Sequence, residues 1–508
     1  MKRCLWMIGA AFIGMAQAGV PALAQDKSQD ITIVLGENVD LMEPCMSTRS
    51  NIGRVLVRNI NETLTELDIS GDKGLMGRLA ESWEEVNDTT GDTTWRFHLR
   101  KGVKFSDGSD FDADDVKHSI DRAMSPKLSC ETPRYFSETK ITAKVVDPQT
   151  IDISADPKQP ILPLLMSIVS IVPSETPVEF VRNPVGTGPY KMTAWNPGQN
   201  IILERRDDYW GDKPAVGKAT YIFRSDPSVA AAMVKTGEAD IAPSISVVDA
   251  TDTALDHSYL NSEVFYFRID QAKEPLQDKR IREALNLAID REAFIGTLVP
   301  PQTTLATAVV PPTTLGFNKD IKPWPFDPDK AKALIAEAKA DGVNVDAQIT
   351  LVGRTNLFPN VLDVMEALQG MLNDVGFNVA LQMYEVAEFE SIYTKPFNED
   401  RTAQLVGAQH DNARGDPVFT MFWKYDSNGP QSGFSNPEVD RMIREATAAT
   451  GDERAKKWSD LFAYLNDEVV ADILLFNQVS FARIGPRVTF TPTIATNGEL
   501  QLSQIGFK

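Results

Sequence analysis

Cysteine and histidine are scarce in this chain of 508 residues, which holds three of the first and four of the second. The histidines, His98, His118, His257 and His410, stand apart, and neither His-Glu-x-x-His nor Cys-x-x-Cys occurs. The familiar zinc spacings are therefore excluded. A Gly-x-Ser-x-Gly nucleophile turn is absent, and Gly186-Thr-Gly188 lacks the third glycine of a phosphate loop and precedes a strand-like run. No metal and no cofactor is expected. Basic residues are outnumbered 51 to 71, for a formal charge of −20 at pH 7. Such a surface keeps a protein soluble and repels nucleic acid and anionic lipid, without naming a ligand. No stretch reaches the roughly 18 apolar residues of a membrane helix. Repeats, low-complexity tracts and glycine-serine linkers are missing too.

What is present begins with an export signal. Lys2 and Arg3 precede a short apolar run from Leu5 to Met15, and Ala22-Leu-Ala24 fits cleavage before Gln25. Residues 1–24 are accordingly read as a signal peptide, and the mature chain as periplasmic. Cys4 lies inside this segment and no Cys follows the cleavage point, so a lipid anchor is not expected. The 484 residues left exceed one hydrophobic core and imply two or three domains. In an oxidising compartment Cys45 and Cys130 are expected to bond, closing a loop worth about 4 to 5 kcal/mol on the chain-entropy model. The alternative is two separate buried thiols.

Periodicity places the elements. Ile31 to Leu35 reads as a buried strand and Ile52 to Ile60 as a short helix. Trp95, Phe97 and Leu99 alternate with polar residues, as in a half-buried strand. Asp112, with Asp115 three residues on, signals a helix start. Two hairpins are expected, one across Asp147-Pro-Gln149 and one across Pro197-Gly198. Ser225-Asp-Pro227 opens a helix read as burying Val229, Met233 and Val234, which Gly237 ends. Val264 to Ile269 and Ala471 to Phe476 are apolar runs read as two segments crossing between lobes. Between them, expected helices (278–291, 328–341, 359–375, 437–448, 452–467) and strands (347–352, 377–383) imply an α/β layer structure. A further strand ends near Val406, and a loop then offers Asp411 and Asp416 before an aromatic helix from Pro417.

The stretch Asn183-Pro-Val-Gly-Thr-Gly-Pro-Tyr190, Trp195 and Leu203-Glu-Arg-Arg-Asp-Asp-Tyr-Trp-Gly211 resembles a signature of the large periplasmic binding proteins of peptide, opine and nickel ABC importers. Leu79-Ala-Glu-Ser-Trp83 and Trp95 to Val116, containing Leu99-Arg-Lys-Gly-Val-Lys-Phe-Ser-Asp-Gly108, are similar to the start of the same family, solute-binding family 5. The resemblance implies a two-lobe type II fold with an extra subdomain in the first lobe and two crossing segments as a hinge. On that reading residues 25–268 form the first lobe, with the subdomain at about 61–182, 269–476 the second, and 477–508 return to complete the first lobe's sheet. It also implies a monomer that delivers a small ligand to a membrane permease.

The resemblance points to Asp411 as well. Gly407 and Asp411 match the spacing at which peptide-binding relatives place an Asp against the ligand's ammonium, and Asp416-Pro417 matches a later pair, although Ala408 stands where the relatives carry tryptophan. A carboxylate in a dry cleft favours a ligand that brings a cation; a turn cap is the alternative role for Asp411. Arg354 lies close to where some relatives hold a ligand carboxylate, and its fork suits that group. Arg49 and the Arg134-Tyr135 pair lie in loops near the two cysteines. His410, Asp416 and Trp423 complete the candidate pocket, with Asp416 also suited to cap the helix at Pro417. The expected function is capture of a short peptide or opine-like conjugate without catalysis. A secreted hydrolase using Asp411 and Asp416 as acid and base is the rival, and a chaperone or signalling receptor on this scaffold is a third reading.

Overall fold

The computed structural model describes residues 29–508, apart from 68–73, 88–92, 131, 137–138, 157, 356, 359 and 413–414. The signal segment 1–24 lies outside the described residues. An eleven-stranded mixed sheet runs through the molecule. Its path begins with the Asn378–Tyr384, Gln348–Arg354 and Ala403–Asp411 strands. It continues through two long strands, Asp256–Ile269 and Asp472–Ile484, to Ile241–Ile245, Asp30–Leu35, Lys218–Phe223, Asn200–Arg205 and Tyr190–Asn196, and the eleventh strand, Thr304–Leu305, pairs with Asp472–Ile484 off this path. The two long strands are antiparallel neighbours. One end of the Asp256–Ile269 strand pairs with Ala403–Asp411, and Ile241–Ile245 pairs with the far end of Asp472–Ile484. Each lobe is thus built on its own side of this pair.

The long strands extend beyond the apolar runs that announced them. Asp256–Ile269 begins with the polar sequence Asp-His-Ser-Tyr-Leu-Asn-Ser-Glu, which conceals a strand when read by hydropathy. Beyond Ile484 the chain does not rejoin the large sheet; Val488–Thr489 pairs only with Gly506–Phe507. The helix Pro227–Thr236 starts on Asp226 and ends at Gly237, whose φ of 79° is a glycine conformation. It buries Ala230, Ala231 and Val234, while Val229 is exposed, so the expected apolar face is rotated. The capping box at Asp112 and Asp115 opens Ala113–Ala123, which packs on a four-stranded sheet of Ala80–Asn87, Thr93–Leu99, Thr150–Asp156 and Lys140–Asp147. A Cys45–Cys130 disulfide is present, with the Cα atoms 5.4 Å apart. Beside it Arg122 and Glu43 form a buried two-bond ion pair of 2.7 and 3.0 Å, and Glu43 also accepts from the Cys45 and Val181 amides.

The signature hairpin, Tyr190–Asn196 with Asn200–Arg205, is held by a buried polar knot. A Cβ on Gly186 would sit 2.0 Å from the Ile60 carbonyl, and one on Gly188 2.6 Å from that of Asn59, so the close approach requires glycine. Arg206, 4% exposed, donates to the carbonyls of Gly186, Gly188, Lys104 and Phe105 and pairs with Asp208. Glu62 is fully buried. Trp210 Nε1 and the Thr187 hydroxyl donate to one of its oxygens at 2.8 and 2.9 Å, and Arg78 Nε and the Tyr209 hydroxyl to the other at 2.7 and 3.0 Å. The motif that carries the resemblance is therefore a tie between the sheet and the segments holding Glu62, Arg78 and Lys104–Phe105.

Candidate functional site

The Ala403–Asp411 strand is five residues longer than its apolar start suggested, and Asp411 is its last residue instead of part of a loop. Directly opposite it on the Asp256–Ile269 strand stands Glu263. Opposed residues of an antiparallel pair share a face, with Cβ atoms roughly 4.5–5.5 Å apart. Two carboxyl groups therefore meet where the long strand begins its pairing with Ala403–Asp411. Ser262 Oγ donates to Asp411 Oδ1 at 2.5 Å. Arg354 ends the Gln348–Arg354 strand, the parallel neighbour of Ala403–Asp411. Both candidate groups thus lie at carboxyl ends of adjacent parallel strands, a recurrent ligand position.

Three more groups reach Glu263. Arg354 acts on it from the Gln348–Arg354 strand; Arg54 and the Asn497 amide act from the Ser50–Leu56 helix and the Ile494–Asn497 turn. Removal from water, then the adjacent Asp411, push Glu263 up to about 7; Asn497, Arg354 and Arg54 oppose this without cancelling it. Arg54, on the Ser50–Leu56 helix, donates to the Thr496 carbonyl at 3.0 Å and to Asn497 Oδ1 at 3.3 Å. That helix lies against the turn at Gly498: a Cβ on Gly53 would be 2.3 Å from the Gly498 carbonyl. Gly498 in turn faces Asp411, its Cβ position 3.4 Å from Oδ2. Segments far apart in the chain therefore meet at this cluster. Arg354 Nε is buried and has no hydrogen-bond partner among the described residues.

The other expected residues have different surroundings. Asp416, 6% exposed, forms a two-bond pair with Arg454 at 2.8 and 3.2 Å and accepts from the Val418 amide, fixing the start of the Val418–Tyr425 helix. Asp416 is thus committed to Arg454 and the helix start, and Asp411 has a separate partner in Ser262; nothing in this geometry favours the acid–base pair of the hydrolase reading. His410 Nε2 bonds the Thr420 hydroxyl at 2.7 Å, tying strand to helix. Tyr135 packs edge-on against Phe419 with ring centres 5.6 Å apart, and the half-buried Trp423 lies on the same helix. Arg49 lies in the loop before the Ser50–Leu56 helix, 3.7 Å from Asp40, with both side chains largely exposed. Arg134 is on the Thr132–Tyr135 turn, but its side chain lies outside the described residues.

Glu263, Arg54 and Asn497 escaped the sequence reading. Glu263 sits in the polar start of a strand known only by its apolar end, and Arg54 lies on a short helix beside the loop arginine Arg49, which drew notice instead. Among the described residues no group of three or more His, Cys, Asp or Glu is placed to hold a metal.

Known proteins agree with this architecture. The dipeptide-binding protein of Escherichia coli (strain K12) is 28% identical over 453 residues, covering 82% of this chain and 83% of its own. In structure, the ABC transporter-associated periplasmic binding protein DppA from Helicobacter pylori, in complex with the peptide STSA, superposes with a TM-score of 0.79 at 20% identity, covering 94% of this chain and 98% of the other. The binding protein AgaA from A. tumefaciens R10, in complex with agropinic acid, gives 0.78 at 21% identity, covering 94% and 99%. The pattern of the bacterial extracellular solute-binding proteins, family 5 Middle, matches residues 74–492, and the chain belongs to that family.

Proposed function

We propose that this solute-binding protein captures a small molecule carrying both an amine and a carboxylate, a short peptide or opine-like conjugate, and delivers it unaltered to an ABC permease. The observation that carries the reading is Asp411 and Arg354, opposite charges at the ends of neighbouring strands, gathered around Glu263 together with Arg54 and Asn497. Asp411 receives the ammonium and Arg354 the carboxylate; a guanidinium fork makes two parallel bonds to that group. The relatives known to hold a dipeptide, a peptide and agropinic acid support this class of ligand.

The two long strands serve as the hinge, with lobes at about 25–268 and 269–476 and a return at 477–508, so that closure over the ligand is what the permease reads. The lobe limits fall inside these strands. The mature protein, cut after Ala24, works as a periplasmic monomer. Native mass spectrometry of freshly purified protein identifies the guest: release of an unchanged small molecule supports transport, and a chemically altered one points to catalysis. Asp411→Ala is expected to abolish ligand-induced thermal stabilisation while the ligand-free melting temperature stays nearly unchanged. An undiminished ligand response would remove Asp411 from the site.

A further inference from the structure

Glu263 has no place in the two-charge reading of the site. Its carboxyl stands directly across the strand pair from Asp411 and near Arg354, and the first lobe contributes Arg54 and Asn497. Tyr259, on the same strand, also lies within its field. Arg54 is already committed to the Thr496 carbonyl and to Asn497 Oδ1. Asn497, 8% exposed, spends its oxygen on Arg54 and turns its amide nitrogen toward Glu263 without a well-formed hydrogen bond to any described residue. Arg354 has the buried, unpartnered Nε.

When Arg354 turns to a ligand carboxylate, its compensation of Glu263 is shared. A single ligand ammonium then faces two carboxyl groups, and one of them must stay protonated or repel the other. A second cation at the same end of the ligand removes the conflict.

We propose that Glu263 is a specificity-determining residue which, with Asp411, grips ligands whose amine-bearing end carries two positive charges, as in a peptide or conjugate beginning with a basic amino acid. The inference rests on the binding function proposed above and adds the charge class of the ligand. Its chemical consequence is proton release. Near pH 7 the ligand-free protein holds a proton on Glu263 in part of the population, and a dication displaces it to the buffer.

The test is isothermal titration calorimetry of the mature, full-length protein with three probes, Arg-Ala, Lys-Ala and Ala-Ala, in buffers of different ionisation enthalpy. Arg-Ala and Lys-Ala should bind about tenfold or more tightly than Ala-Ala, the equivalent of one pKa unit or more, with proton release that Ala-Ala lacks. Glu263→Gln should bring the three affinities together by weakening the basic probes alone and should abolish the proton release, whereas Glu263→Asp should keep the preference in part. Asp411→Asn should lose all three probes. Equal wild-type affinities, or a preference untouched by Glu263→Gln, would overturn the role of Glu263 while leaving an Asp411-dependent peptide site standing. No binding of any probe would overturn both.

Discussion

Glu62, fully buried, and Glu263, partly buried, are both glutamates beside arginines, yet their surroundings differ in a way that separates scaffold from proposed site. At Glu62 four donors from Arg78, Thr187, Tyr209 and Trp210 divide evenly between the two oxygens. At Glu263 the opposing strand supplies Asp411, and burial plus this second acid lift the carboxyl to about 7. A buried charge with its donors supplied holds structure together; a charge set against its own sign keeps a binding preference unmet. The family signature belongs to the first kind, which is why it reports the fold without reporting the ligand.

The largest effect that could break this contrast is expected at the knot. Glu62→Ala leaves Arg78 and three other donors without their acceptor, and should lower the free energy of unfolding by about 3–5 kcal/mol, read from urea denaturation. A loss as small as that of a surface substitution would mean that the donors find water or other partners and that the knot is not a tie.

The next effect is a pH dependence at the cleft. An unfolded Glu ionises near about 4.3, so between there and about 7 the folded protein binds more protons at Glu263 than the unfolded chain does. The stabilising contribution is present in full at the acid end and is lost as pH rises through 7. Burial lifts Asp472 to about 7 as well, despite the Tyr425 hydroxyl donating to it at 2.5 Å, and so adds a second decline in the same window. Glu263→Gln should therefore stabilise the ligand-free protein at pH 8 by on the order of 1 kcal/mol, have little effect at pH 4.5, and leave the Asp472 part of the decline. Equal effects at both pH values would place Glu263 outside a strained pair.

The smallest effect is expected at Arg49. Its exposed pairing with Asp40 should contribute less than about 1 kcal/mol, so Arg49→Ala should leave melting and ligand response nearly unchanged. A lost ligand response would move the boundary of the site outward to that loop.

Much of the fold was legible because local chemistry repeats it. Asp112 and Asp115 cap the expected helix, Gly198 turns the expected hairpin with a φ of 74°, and the two cysteines bond. Legibility failed where neighbours far along the chain replace hydropathy as the organising force. The polar residues from Asp256 to Glu263 are strand because Asp472–Ile484 and Ala403–Asp411 offer them hydrogen-bonding edges. Val229 is exposed although its helix was expected to bury it, because the helix packs through the alanines 230 and 231. At the proposed site, residue type pointed to Asp411 and Arg354, but Glu263, Arg54 and Asn497 carry no local mark.

The sequence alone pointed to the family architecture and to the hairpin that carries its signature, and made a cysteine pair the expected arrangement, because each follows from a short motif or from the compartment that the export signal implies. Only the tertiary structure decided which charges face one another. The register that sets Glu263 opposite Asp411 joins strands about 150 residues apart, and the turn that brings Arg54 and Asn497 to them joins opposite ends of the chain. Electrostatic work depends on distance in space, and no periodicity along the chain encodes it.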